Sequence, residues 1–287
     1  MKKSLLAVAV MLASTATFAQ EENYLPETDD WAIGIDATPF LNYVGNLVGG
    51  NDGNVAPTWN YLTTNQTITG KMFASEEMAY RGSLRLGFGS MKGGASVGQD
   101  GAAAPTYPAL PTTVEDSWKM GMTNIGLSGG IEYRRGHGRL QGFYGGELGF
   151  AISSSKETYT YGNEIIAANG FPSTADFGSN ITTDATDGLL QARVLESKSG
   201  SSIGFGLRGF IGAEYFVLPK LAVGGEFGWG LVFASTGASS TTIESTDGAQ
   251  VATQEVVGSK SSSFGFDTDN VNSVFGPAGS LRMTFHF

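Results

Sequence analysis

From Leu281 to Phe287, apolar and polar residues alternate strictly. Leu281, Met283, Phe285 and Phe287 are separated by Arg282, Thr284 and His286. This is the period-two signature of a strand with two unlike faces. The same alternation recurs upstream. Leu221, Val223, Phe227, Trp229, Leu231 and Phe233 are interleaved with Ala222, Gly224, Glu226, Gly228 and Gly230. Ile203 to Val217, Leu140 to Ile152, Ile125 to Tyr133 and Tyr80 to Phe88 repeat it, with weaker runs at Trp31 to Ile35 and Ile68 to Met72. The pattern predicts eight strands, over about 30–37, 66–73, 79–90, 118–133, 139–154, 202–217, 221–235 and 276–287. In the fourth, Trp118, Met120 and Met122 have the opposite parity to Ile125 and Leu127, so a bulge is expected near Thr123.

Connection lengths say how such strands assemble. Residues 74–78, 134–138 and 218–220 are tight turns, whereas roughly 45–65, 91–117, 155–201 and 236–275 are long. Short turns at one end and long loops at the other are the layout of an all-β, eight-stranded, antiparallel up-and-down transmembrane β-barrel. A soluble sandwich also alternates, but not with connections this regular. Aromatic residues mark the depth. Trp31, Tyr80, Tyr133, Tyr215 and Phe287 would form one girdle near the short turns, and Phe88, Phe150, Trp229 and Phe233 the other.

The N-terminus adds an address. Lys2 and Lys3, the apolar stretch Leu5 to Ala13 and Thr17-Phe18-Ala19 read as a secretory signal peptide over 1–19. A short periplasmic tail over 20–29 and a barrel over 30–287 would follow. The apolar stretch is far short of the roughly 20 residues of a membrane-spanning helix.

Composition narrows the remainder. Zero Cys excludes disulfides, thiol catalysis and Cys-based zinc sites. A formal charge of −10, more negative still without Lys2 and Lys3, argues against nucleic acid as a partner. Gly is abundant at 42 residues with no G-X-Y period, and 11% aromatic content is too high for a disordered chain.

If the apolar positions face lipid, the interleaved charges face the interior. They are Lys71, Arg81, Arg85, Arg208 and Arg282 against Asp36, Glu132, Glu147, Glu214 and Glu226. Five of each sign in an eight-stranded lumen, barely wide enough for side chains, should pair across it. Arg208 is expected beside Glu147, and Arg282 between Asp36 and Glu226. A gate or polar conduction path is one reading; a salt-bridged filling that satisfies buried charges is the other and the favoured one. Many interior positions are Gly, which would leave room for the long side chains.

The block Gly212-Ala213-Glu214-Tyr215-Phe216-Val217-Leu218-Pro219-Lys220-Leu221, the segment Trp31-Ala32-Ile33-Gly34-Ile35-Asp36-Ala37-Thr38-Pro39-Phe40-Leu41-Asn42-Tyr43 and the terminal Phe287 resemble the outer-membrane β-barrel domain family of Gram-negative bacteria, with its small OmpA-, OmpX- and OmpW-like barrels. The resemblance implies the cell outer membrane as location, outer-membrane lipid as surroundings, and the barrel-assembly machinery as a partner that reads Phe285 and Phe287. It names no solute and implies no cofactor.

Nothing marks an enzyme. The two histidines, His137 and His286, both fall at the periplasmic end, away from outer-leaflet lipid. The long loops carry Asp100, Asp116, Asp176, Asp184, Asp187, Asp267 and Asp269, giving an acidic exterior. Asp267-Thr-Asp269 lacks the turn Gly and terminal Glu of a calcium loop. Asn65 and Asn180 begin N-x-T sequons that carry no weight in a bacterial chain. The expected function is a structural or surface-interaction protein, with an extracellular ligand or partner protein at the loops. The alternative is a narrow porin-like channel for small solutes.

Overall fold

The computed structural model describes residues 24–50, 54, 68–185, 191–267 and 279–287. The expected signal segment, Asn65, Asp187 and Asp269 lie outside them. The fold is all-β, with 68% of residues in strands and 4% in helix, and every strand pairing is antiparallel. Eight strands correspond to the eight predicted: β1 (Trp31–Asp36), β2 (Ile68–Ser75), β3 (Met78–Gly98), β4 (Thr113–His137), β5 (Leu140–Thr160), β8 (Ser202–Leu218), β9 (Leu221–Thr236) and β13 (Gly279–His286). Neighbours along the chain pair as β1–β2–β3–β4–β5–β8–β9–β13, and β13 pairs back onto β1, so the hydrogen bonds close a ring. Reciprocal bonds between Trp31 and Phe287, at 2.8 and 2.9 Å, finish that last seam.

The sequence prediction falls short in the long connections. Five further strands occupy them: β6 (Ile181–Thr183), β7 (Gln191–Lys198), β10 (Ser240–Thr246), β11 (Val251–Val257) and β12 (Ser261–Asp267). β3, β4 and β5 also run well past their predicted ends. One helix, α1 (Thr38–Gly49), follows β1 directly, with Pro39 in its first turn and Gly50 closing it at φ 68°. Among the described residues no helix is long and apolar enough to cross a membrane.

No bulge exists at Thr123. The β3–β4 and β4–β5 registers run without a shift from the short turn to the far ends. Trp118, Met120 and Met122 therefore share the inner face with Glu132. The parity of the apolar residues changes because the surroundings do. Near the short turn β4 turns its large apolar side chains outward, whereas at the far end Trp118 packs inward against Tyr159, Ala192, Val194 and Ile243. The long connections thus build a cap with an ordinary interior core. Several of its buried polar groups find backbone or side-chain partners. Asp116, fully buried, accepts the Gly162 and Ala175 N–H groups at 2.8 Å each. Asn180 accepts from Phe177 N at 2.7 Å and donates to Ala175 O. Arg193 grips Glu244 through Nε and Nη2 and lies over the Tyr161 ring. The loop carboxylates expected as a solvated acidic surface are in part cap structure. Asp100 accepts from Ser173 and Asn169, which hold it below the usual carboxylate range.

Candidate functional site

The two faces of the ring are chemically opposite. Outward positions line up strand by strand. Leu84 pairs with Leu127, Leu127 with Phe150, Phe150 with Phe205, Phe205 with Phe233, and Phe233 with Phe264 of β12. Phe88, Leu127, Leu148 and Phe205 are each more than half exposed. Inward positions of the same strands are charged and buried: Lys71, Arg81, Glu132, Arg134, Glu147, Arg208, Glu214 and Glu226 all have under 9% of their surface accessible.

These charges form one connected network. Glu226 is its hub, accepting from Arg81 and Arg208 at 2.7 Å each and from Arg282 at 3.1 Å. Glu147 receives Arg208 at 2.8 Å and lies 3.3 Å from Arg81. Glu132 receives Lys71 at 2.7 Å and Arg134 at 3.4 Å, and Arg81 approaches it at 3.6 Å. Glu214 binds Arg134 and lies 3.7 Å from Lys71. Low local dielectric makes each such bond strong and each missing partner costly.

Aromatic rings fill the remaining cross-section. Arg81 stacks over Phe210 at 3.9 Å, Lys71 over Phe143 at 4.9 Å and Arg134 over Phe73 at 5.1 Å. Toward the short turns, His286 sits between Phe73 and Phe216, and Phe73 clusters with the buried Ala32 and Ala79. The tail below is anchored too: Tyr24 stacks on Arg139, and Lys220 pairs with Asp30. His137, by contrast, is exposed at the end of β4, so the two histidines share no site.

No protein-family model, no curated protein and no solved structure matches the chain.

Of the ten predicted lumen residues, eight belong to this network. Arg208 and Glu147 are register partners, as parity required. Among the described residues Arg282 pairs with Glu226, and the expected Asp36–Arg282 ion pair is not among their contacts. Asp36 is its register partner on β1, but Arg282 Nε donates to Ser280, which faces Glu226, and the guanidinium lies that way along β13. Arg85 is half-buried, farther from the short turns, opposite Gly126. Arg134 is the residue sequence reading missed by placing it in a turn. It has the same parity as Glu132, and that was the available signal.

The girdle residues Trp31, Tyr80, Tyr133, Tyr215, Phe88, Phe150, Trp229 and Phe233 are all exposed on the outer face, as are Phe285 and Phe287. Trp229 sits midway along β9, four residues nearer the short turn than Phe233. The interior glycines stand where the charges need space. A Cβ on Gly228 would lie 2.2 Å from Arg208 Nε, and one on Gly130 would lie 2.6 Å from Glu147 Cβ.

Proposed function

We propose that this chain is an integral outer-membrane β-barrel protein of a Gram-negative cell. In this reading the barrel is closed to solutes at mid-depth, and its cap of folded connections is presented at the cell surface as a structural or interaction element. The observation that carries it is the inverted packing: a continuous apolar belt outside a closed ring, around a buried ionic interior. In water such a belt would be a patch far larger than the few hundred Å² that soluble monomers tolerate. In a bilayer it is required, and a closed strand ring is one of the two architectures that leave no backbone group unpaired there.

The closed interior favours the structural role over a channel. Five cations and four glutamates interlock with Phe143 and Phe210 between them, whereas an open pore lines free water. Two measurements test the reading. Unboiled protein should migrate differently from boiled protein on SDS gels after folding into lipid vesicles, with strand-rich circular dichroism. In planar bilayers the wild-type protein should give no steady openings. Identical migration with helical dichroism would refute the barrel, and stable conductance would refute the closed interior.

A further inference from the structure

The outer face carries one arrangement that neither the barrel nor its ionic interior explains. Lys92 of β3 is the register partner of Lys119 of β4, and Lys156 of β5 is the register partner of Lys198 of β7. Like charges directly opposite each other on a sheet are destabilising. Here two such pairs stand side by side. Gly121 is opposite Lys156 and Thr158 opposite Lys119, so Lys119 and Lys156 are diagonal neighbours about 7–8 Å apart.

All four lysines face outward, because their parity is that of Phe88, Leu127 and Phe150 and the registers contain no shift. All four are exposed. Their height is consistent as well: Lys92 follows the outward Phe88 by four residues, and Lys156 follows the outward Ile152 by four. They stand just beyond the apolar belt on the cap side. Glu196 is the acid that pairs with them among the described residues, bonding Lys156 at 2.6 Å and also Lys198, and Glu255 lies near enough to act on Lys198 as well. Lys92 and Lys119 have no ion-pair partner among the described residues. A groove of about 700 Å³ connects belt and lysines, with Phe88, Thr123 and Ser154 on its lower side and Lys156 and Lys198 on its upper.

We propose that Lys92, Lys119, Lys156 and Lys198 bind the phosphate groups of a membrane lipid whose acyl chains lie along the belt below them. This rests on the barrel reading of the ring. A chain with a large negative net charge has concentrated cations on one short outer stretch, and opposed lysine pairs become favourable once an anion sits between them. Lysine suits the position because its apolar stem can lie along the belt while the ammonium reaches the headgroup layer. The apolar belt selects an amphiphile over a free phosphate ion.

The full chain, folded into phosphatidylcholine nanodiscs, tests this with three probes: a hexa-acylated glucosamine disaccharide bearing two phosphates, the same lipid with both phosphates removed, and inorganic phosphate. The phosphorylated lipid should bind, and the other two should bind at least about tenfold more weakly. At roughly fivefold per lysine near a charged lipid surface, replacing all four by Gln should weaken binding by about 100-fold or more, and Lys→Arg at all four should restore it. Glu196→Gln should tighten binding by releasing Lys156 and Lys198. Equal binding of the dephosphorylated lipid, equal binding of inorganic phosphate, or an unaffected quadruple Gln variant would each overturn the proposal. Gel migration of every variant separates the two readings. A normally folded, inserted protein that ignores phosphate refutes the lipid site alone, whereas failure to insert refutes the barrel.

Discussion

Replacing Glu226 by Gln is the sharpest perturbation of the interior. The side chain keeps its shape and loses its charge, so no cavity complicates the result. Glu226 holds three arginines, at 2.7 Å (Arg81), 2.7 Å (Arg208) and 3.1 Å (Arg282). Arg81 and Arg208 retain Glu147 at 3.3 and 2.8 Å. Arg282 has no other ion pair within 4.0 Å among the described residues. The variant therefore leaves one buried guanidinium uncompensated and turns an amide N–H₂ toward another. Breaking a buried pair from one side costs about 3–5 kcal/mol, and that is the expected loss. Urea unfolding of the vesicle-folded protein, followed by tryptophan fluorescence, measures it, provided the slope against denaturant is unchanged. Glu196→Gln is the control, because its partners Lys156 and Lys198 are half-exposed and such surface pairs contribute about 0–1 kcal/mol. If both variants lost the same small amount, under about 1 kcal/mol, the interior would be hydrated. The inference that its charges are mutually dependent would then fail.

Three further outcomes follow from the same geometry. Arg134→Ala should cost about 3–5 kcal/mol, because buried Glu214 loses its hydrogen-bonded partner and keeps only the more distant Lys71 at 3.7 Å among the described residues, while its exposed neighbour Arg135→Ala should stay within about 0.5 kcal/mol; urea midpoints compare them. Gly228→Ala places a Cβ against Arg208 Nε and should cost about 1–3 kcal/mol, whereas a Cβ on the outward Gly129 meets nothing nearer than 4.0 Å and Gly129→Ala should fold normally on gels. In the cap, Asp116→Ala removes the acceptor of two backbone N–H groups and should expose 155–185 to protease without changing ring migration; cap stability should also fall in strong acid, because Asp100 has a lowered folded carboxyl pKa, so its contribution is complete above the ordinary value and disappears as pH drops through the lowered one.

Alternation made the ring legible. Once period two is read at Leu281–Phe287 and Leu221–Phe233, parity assigns each side chain to a face, and short against long connections assign each end. The same rule placed Glu147 beside Arg208. It would have placed Arg134 with Glu132, and Phe210 and Phe216 with Arg208 and Glu214, had parity been followed through the turns and applied to apolar residues. The cap was illegible for a different reason. Its strands β6, β7, β10 and β11 are rich in Ser, Thr, Gln and Glu, and their order depends on Asp116, Asn180 and Arg193 meeting backbone groups far along the chain. No local period records such contacts. The helix α1 carried only Pro39 and Gly50 as local signals.

The apparent bulge at Thr123 shows why a broken pattern can be informative. One unbroken strand, β4, presents Ile125, Leu127 and Ile131 outward and Trp118 and Met120 inward, with no change in register. What changes is which side is dry. On the membrane reading proposed above, the dry side below Thr123 is outside, so the charges Glu132 and Arg134 go in and find partners. Above it the dry side is the cap core, so Trp118 goes in and Lys119 goes out. The outer lysines Lys92, Lys119 and Lys156 all begin within a few residues of that change on three adjacent strands. A water boundary drawn from the parity of apolar residues and one drawn from the position of outward cations therefore fall at the same height. Two independent features of the sequence thus locate one surface, and it is there that the phosphate-binding lysines are proposed to act.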